Sequence, residues 1–436
     1  MLGNKVFIQT YGCTSNKSDS QTMAGLLEDA GYKLSEEKDA NYIIVNSCAV
    51  KSATEEKIIY RLKELSRSNK KIIVAGCLTK VNSDRIKKSV PNFSGMLDPY
   101  SVDKIVDIVK AIENGKKYVE RFSEAPADKP SLPRTSFSKA IDVVKLSDGC
   151  LSSCVFCATK LARGNLHSYR PNSIRDAVKN GLKQGFKEFH LTSEDSSAYG
   201  RDIGTNLHEL LESVCKIEGD FMVRIGMMNP LHFKKVEIEK VVSAFKNEKV
   251  FKFLHLCVQS GSNNVLKIMR RGYDVEDFIG YVKEFRRQIP ELNLSTDIIV
   301  GHPGEEDKDF KETVRLIKQV RPDNVNISRF SIRPGTLAAK MKQVNLEIAI
   351  ERSKYLHDLT KKIAFENNMK WKGWKGKVLI DEKGVKEGTL MGRNYAYKQI
   401  VLKSDEDLLG KFVVAKINKV KSNYIIGSLN GENTLE

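Results

Sequence analysis

Residues 148–164 read DGCLSSCVFCATKLARG, with cysteines at 150, 154 and 157. The spacing is Cys-x3-Cys-x2-Cys, and no further ligand-type side chain follows until His167. A structural zinc site takes four ligands, usually from two Cys-x2-Cys pairs. This stretch offers three thiols and no second pair. A cubane [4Fe–4S] cluster has four irons, each normally capped by one cysteine, so three cysteines leave one iron open to a small molecule. Zinc is the alternative reading of the motif taken alone.

The surrounding sequence gives these cysteines a scaffold. Strand-like runs begin near residues 140 (AIDVVKL), 188 (EFHLTSE), 221 (FMVRIGM), 251 (FKFLHLCV), 293 (NLSTDIIV) and 324 (NVNISRF). Helical stretches such as SIRDAVKNGLKQGF and DKDFKETVRLIKQV lie between them. Six βα units are too few for a closed eight-stranded barrel, so residues 140–369 are expected to form an open, partial (β/α)6 barrel. Upstream, in residues 1–120, the runs KVFIQTYGC, NYIIVNSC and KIIVAGC end at Cys13, Cys48 and Cys77, which are 35 and 29 residues apart. Each interval is about one βα unit of ~30 residues, and strands alternating with helices imply a parallel sheet. Ligands of open parallel sheets gather outside the carboxyl ends of the strands, where all three cysteines fall. Residues 121–139, RFSEAPADKPSLPRTSFSK, are proline-rich and polar and read as a linker. Residues 370–436 hold short alternating runs punctuated by glycine, the pattern of a small all-β barrel.

Composition sets the context. The 436-residue chain is too long for one ordinary core. Its net charge of +17 favours a polyanionic partner such as a nucleic acid, lysine-rich solubility being the plain alternative. The opening MLGNKVFIQTYGC lacks the marks of a signal peptide, and no window approaches the roughly 18 apolar residues of a membrane span. A cytoplasmic location without a membrane partner is expected. Thiols stay reduced there, so clustered cysteines point to metal binding or catalysis rather than disulfides.

Together these motifs resemble a known family. Cys-x3-Cys-x2-Cys on the first βα loop of a partial barrel resembles the radical S-adenosylmethionine (SAM) superfamily. YGCTSNKSDS (Tyr11, Gly12, Cys13, Asn16, Asp19, Ser20), VNSC (45–48) and AGC (75–77) resemble the N-terminal domain of methylthiotransferases. The C-terminal barrel resembles their TRAM domain, a tRNA-binding module. The resemblance spans essentially the whole chain. TSEDSSAYGRDIGT (192–205), VRIGMMNP (223–230) and SDGC…CATKLARG resemble the archaeal and eukaryotic branch that methylthiolates N6-threonylcarbamoyladenosine in tRNA. GHPGE (301–305) departs from the pattern: His302 stands where relatives often have Phe, beside the expected SAM site.

The resemblance implies two [4Fe–4S] clusters, a radical-generating one on Cys150, Cys154 and Cys157 and a second on Cys13, Cys48 and Cys77. SAM is the implied cofactor, with Ser193, Glu194, Gln259 and Ser260 as its candidate contacts. The implied reaction places a methylthio group at C2 of N6-threonylcarbamoyladenosine, adenosine-37 next to the anticodon. Implied partners are tRNA, an electron donor and a sulfur source. The substrate carries a carboxylate that a guanidinium fork would match, which makes Arg224 and Arg333 candidate substrate residues. Arg393, with Tyr395 and Tyr397, is a candidate for stacking on RNA bases. Cys215, Cys257 and His255 read as interior residues. The alternatives are a radical SAM methylthiotransferase acting on another tRNA base or a ribosomal protein, and a non-catalytic, metal-stabilised RNA-binding protein.

Overall fold

The computed structural model describes residues 4–233 and 235–429. The first three and last seven residues of the 1–120 and 370–436 regions thus lie outside the described residues.

The N-terminal layer is one six-stranded sheet. Its elements are β1 (Lys5–Thr10), α1 (Thr14–Asp29), β2 (Lys33–Leu34), β3 (Tyr42–Ser47), α2 (Ser52–Leu65), β4 (Lys71–Gly76), α3 (Cys77–Val81), β5 (Gly95–Leu97) and β6 (Val119–Arg121). The order is β2-β1-β3-β4-β5-β6 and every pairing is parallel. Both faces are covered, so β3 is buried along its whole length. That is why YIIVNS reads as a continuous run rather than an alternating one. The short strands β2, β5 and β6 carry no such pattern and were not expected from the sequence.

The central layer is the open barrel. It contains β7 (Ile141–Lys145), β8 (Ser147–Asp148), β9 (His167–Ser168), β10 (Glu188–Thr192), β11 (Met222–Ile225), β12 (Phe253–His255), β13 (Asn293–Val300) and β14 (Asn324–Arg329). Two three-stranded parallel sheets, β11-β10-β7 and β12-β13-β14, meet through the isolated bridges Val223↔Val250 and Met228↔Leu256. The antiparallel pair β8–β9 brackets the 148–164 loop. Alternation along the strands separates two environments. Phe189, Leu191, Val223, Ile225, Leu254, Leu294 and Ile298 join the apolar core under the helices. Their neighbours Glu188, His190, Arg224, His255 and Asp297 face the lumen, which is therefore polar.

The helix Leu346–Met369 runs beside β14 and leads into a closed barrel of β15 (Lys375–Lys383), β16 (Thr389–Asn394), β17 (Gln399–Lys403), β18 (Phe412–Val420) and β19 (Ile425–Leu429). Trp371, Val378, Ile380, Leu402 and Ile417 fill its core. Its β16–β17 turn plugs the amino-terminal mouth of the central strands. Lys252 N donates to Tyr395 O (2.8 Å) and Asn293 Nδ2 to Ala396 O (3.0 Å). The Tyr397 ring packs against Phe251 and Phe253 at centroid distances of 4.7 and 5.0 Å.

The segment read as a linker is not a loose tether. Lys129 and Pro130 are buried, and Lys129 Nζ lies 2.8 Å from Asp19 and 2.7 Å from Asp148. Gly25 of α1 lies so close to the Pro133–Arg134 backbone that a Cβ there would fall 2.5 Å from it. The strap is short, polar and proline-rich because it threads between two layers, not because it swings.

Candidate functional site

Cys13, Cys48 and Cys77 each follow the carboxyl end of one of three adjacent strands, β1, β3 and β4. Asn16 draws the strand ends together: its Nδ2 donates to Tyr11 O (2.8 Å) and Ser47 O (2.9 Å). Gly12, at φ +107°, lets the first strand end approach the second, since a Cβ there would fall 2.7 Å from Cys48 Cβ and 3.0 Å from its sulfur. Gly76, at φ +90°, does the same beside Cys77, where a Cβ would meet Asn46 Oδ1 at 2.3 Å. The Cys77 thiol donates to Asn16 Oδ1 at 3.7 Å. Burial pushes Cys77 up to about 12 and raises Cys48, and the thiols add to one another's shifts. Such thiols stay protonated until a metal displaces the proton. Three convergent thiols, a cradle that only glycine fits and no disulfide on any of the eight cysteines suit a three-thiolate iron–sulfur cluster.

Cys150, Cys154 and Cys157 sit on the loop after β8. Cys157 N donates to Cys154 O (3.1 Å), and Ser152 N to the Cys150 sulfur (3.4 Å). Burial, then the charge of Asp195, pushes Cys150 up to about 12; burial also raises Cys157. Arg271, absent from the sequence reading, donates from one guanidinium nitrogen to the Cys154 sulfur (3.1 Å) and from another to Asn229 Oδ1 and Cys257 O (3.0 Å each). Hydrogen bonds to cluster sulfurs tune potential, so this triad also fits a [4Fe–4S] group.

A buried ionic network joins the two triads. Arg163, fully buried at the end of the helix that starts after Cys157, donates to Asp19 (2.6 Å) and Asn16 (2.9 Å) on α1 and to Asp148 (2.6 Å) on β8. Asn16 Oδ1 is the same atom that accepts from Cys77. Lys145 lies 2.6 Å from Asp148, Tyr169 donates to Asp148 (2.6 Å), and Glu194 lies 3.3 Å from Arg163 Nε. Arg163, Lys129 and Lys145 balance Asp19, Asp148 and Glu194. Burial alone would raise Asp148, yet Lys129, Lys145 and Arg163 hold it well below the usual carboxylate range.

The candidate SAM contacts separate. Glu194 is turned into this network, and both its oxygens lack a hydrogen-bond partner. Ser193 is buried with its hydroxyl on Ser196 (3.0 Å). Ser260 is buried with its hydroxyl 3.4 Å from Thr313, toward the helix Asp307–Val320. Gln259 holds a left-handed backbone at φ +74° and bridges to Ile298 at the carboxyl end of the barrel. His302 is fully buried edge-on between Phe156, inside the cysteine loop, and Phe330 (5.9 and 5.3 Å). Burial pushes it down to about 4, so it packs as a neutral aromatic in place of Phe.

The three candidate substrate arginines do not converge. Arg333 closes onto Glu55 of α2 and donates to Ser52 (3.1 Å), a buried clamp that leaves it no free face for a carboxylate. Arg393 lies 3.0 Å from buried Asp381. Tyr395 packs on Trp371 and Trp374, and Tyr397 on Phe251, Phe253 and His190. The expectation that Tyr397 stacks on RNA is therefore corrected, because its ring packs between the domains, whereas half-buried Tyr395 packs on tryptophans of its own barrel. Arg224 alone faces the lumen. Cys257, read as plain core, lies outside the apolar cluster: its thiol and His255 Nε2 both donate to Asp297 (2.7 Å each). His255 is a satisfied interior histidine, as expected, and Cys215 lies in the apolar core.

Three family models match the chain: Uncharacterized protein family UPF0004 over residues 5–98, the Radical SAM superfamily over 144–317 and the TRAM domain over 373–429. A "Probable threonylcarbamoyladenosine tRNA methylthiotransferase" of Pyrococcus abyssi is 45% identical over 428 residues, covering 98% of this chain and 99% of that one. The "Threonylcarbamoyladenosine tRNA methylthiotransferase" of Drosophila pseudoobscura pseudoobscura is 35% identical over 435 residues, covering 98% of this chain and 77% of that one. Among solved structures, the radical S-adenosylmethionine methyltransferase TsrM of Kitasatospora setae, with cobalamin and a [4Fe-4S] cluster bound, aligns with a TM-score of 0.56 at 12% identity, covering 77% of this chain and 74% of that one.

Proposed function

The chain belongs to the threonylcarbamoyladenosine tRNA methylthiotransferase family, and on that premise we propose that it places a methylthio group at C2 of N6-threonylcarbamoyladenosine in tRNA, at adenosine-37 beside the anticodon. The observation that carries the reading is the pair of three-cysteine sites held across one buried ionic network. Cys150, Cys154 and Cys157 would hold a [4Fe–4S] cluster with one iron open for SAM, and Cys13, Cys48 and Cys77 a second with one iron open for sulfur. The bound clusters and SAM would supply the radical and sulfur-transfer chemistry that a C–H bond on adenine demands, while the protein binds and orients them.

The chain's own residues do the rest. Arg163 and its acids fix one triad against the other. Arg271 holds the Cys154 sulfur and the Cys257 carbonyl in one frame. Gln259, at the carboxyl end of the barrel strands, remains the candidate SAM contact, while Glu194 is held in the Arg163 network. An electron donor and a sulfur source are required partners. No helix among the described residues is long and apolar enough to cross a membrane, and we place the enzyme in the cytoplasm.

The test separates the two sites. Anaerobic reconstitution is expected to give about eight irons per chain, and about four in Cys48→Ala or Cys150→Ala. Cys150→Ala is expected to lose SAM cleavage, whereas Cys48→Ala keeps it and loses methylthiolation. Equal loss of SAM cleavage in both variants would contradict the division of labour.

A further inference from the structure

The barrel lumen contains one arginine with no committed partner. Arg163, Arg333, Arg352 and Arg393 all carry carboxylate partners. Arg224 pairs with no carboxylate among the described residues. It is nevertheless held in place: its guanidinium lies 5.1 Å from the Phe253 ring centroid and 5.5 Å from that of Tyr397. Cation–π packing of this kind fixes a guanidinium by its face and leaves its edge donors to a ligand. The floor under it is the turn of the C-terminal barrel described above.

A second uncommitted cation points the same way. Lys17 of α1 is exposed and pairs with no carboxylate among the described residues. Its neighbour Ser18 donates to Val143 O (3.3 Å) on β7, and Val143 is the register partner of His190, which is in turn the partner of Arg224. The positive charge is felt locally. Burial first, then Arg224 and Lys17, hold His190 neutral, well below its ordinary value. Glu188, one residue pair along the strand, is a weak counter-charge, since burial pushes it up to about 7 and it is hydrogen-bonded to His190 (2.6 Å).

We propose that the lower lumen is an anion subsite in which Arg224 and Lys17 take the free carboxylate of the threonylcarbamoyl group, with the Phe253–Tyr397 floor beneath it. The inference rests on the substrate reading above and deepens it. The N-terminal domain supplies Lys17, the barrel supplies Arg224 and Phe253, and the C-terminal domain supplies Tyr397, so all three domains meet at the group that distinguishes this substrate from plain adenosine. A phosphate of the RNA backbone has the same charge chemistry, and the probes separate the two sources.

The experiment uses reconstituted holoenzyme and three anticodon stem-loops: one with threonylcarbamoyladenosine, one with its neutral threoninamide analogue and one with unmodified adenosine. Kd is read by fluorescence anisotropy. Wild type is expected to prefer the carboxylate over the amide by about tenfold or more, the scale of one charge-assisted hydrogen bond. Arg224→Met is expected to bring that ratio near one and Lys17→Met to shrink it at least threefold, with unmodified RNA bound as by wild type. Iron content and melting temperature confirm folding; if Arg224→Met fails them, Lys17→Met, on an exposed side chain, decides. A ratio that survives in the folded variants overturns the proposal. Equal weakening toward all three RNAs overturns it in favour of phosphate binding. If wild type methylthiolates the modified stem-loop without preferring carboxylate to amide, the subsite fails and the substrate reading stands. If wild type yields no methylthio product from it, both fail.

Discussion

Replacing Arg163 by methionine tests whether the ionic network is what holds the two cysteine triads in register. Methionine keeps much of the length and removes the charge. Three charge-assisted bonds vanish, to Asp19 and Asp148 at 2.6 Å and to Asn16 at 2.9 Å, together with the Glu194 contact at 3.3 Å. Two lysines then face three carboxylates in a space closed to water. Breaking a buried pair and stranding its partner costs about 3–5 kcal/mol. For a domain of this size that is on the order of 10 °C in the first unfolding transition, with separation of the N-terminal and central domains as the event observed, since a multidomain chain need not unfold in one step. The pH dependence has a definite sign. In wild type the depressed Asp19 and Asp148 contribute stability that is present above the ordinary carboxylate range and lost as pH falls through their folded values. In the variant the excess carboxylate takes up a proton more readily, so the gap to wild type narrows as pH falls from 8 toward 5. Calorimetry at both ends of that range, with iron content and methylthio product measured alongside, gives the outcome. Iron is expected to stay near wild type while product drops tenfold or more. A melt within about 2 °C of wild type with full product would refute the reasoning.

Three further outcomes follow from other contacts. Glu55→Gln should destabilise by about 3 kcal/mol because it strands buried Arg333, and Arg333→Met by less, because Glu55 keeps Arg85 at 2.7 Å; the double variant should cost less than the sum of the two, and additive losses in a thermal double-mutant cycle would argue against the clamp. Tyr397→Ala should cost about 3–5 kcal/mol and expose the barrel connection to limited proteolysis, whereas Tyr397→Phe loses only the 3.2 Å contact with His190, about 1 kcal/mol; equal effects would mean that the ring does not plug the mouth. Lys375 and Lys416 are exposed cross-strand neighbours, a like-charge pair that is unfavourable unless an anion joins it; Lys375→Gln with Lys416→Gln should weaken tRNA binding and flatten the salt slope by about two, and an unchanged slope would exclude this face.

The sequence reading and the structure agree wherever the signal was periodic and local. The six strands expected in the central region, β7 and β10 to β14, begin within two residues of where the apolar runs place them, and the three N-terminal cysteines follow β1, β3 and β4. The departures share one cause, long-range pairing. Arg163 lies 144 residues from Asp19 and 147 from Asn16, and nothing in LARG signals a partner so distant. Lys129 looks like one more polar residue in a proline-rich strap, yet it is buried against two acids. Tyr395 and Tyr397 carry the composition of an RNA-stacking surface. Only the position of the β16–β17 turn at the barrel mouth turns Tyr397 inward, onto Phe251 and Phe253. Cys257 and His255 alternate as lumen residues should, but the acid they share, Asp297, is 40 and 42 residues away on the next strand.

The central claim is that two cysteine triads act together on one modified adenosine. It is tested most directly by nucleoside mass spectrometry of tRNA from cells lacking the gene, complemented in turn with wild type, Cys48→Ala and Cys150→Ala. The account predicts that 2-methylthio-N6-threonylcarbamoyladenosine disappears on deletion, that its unthiolated precursor accumulates, and that wild type alone restores the product. An unchanged nucleoside profile on deletion, or restoration by either cysteine variant, would contradict it.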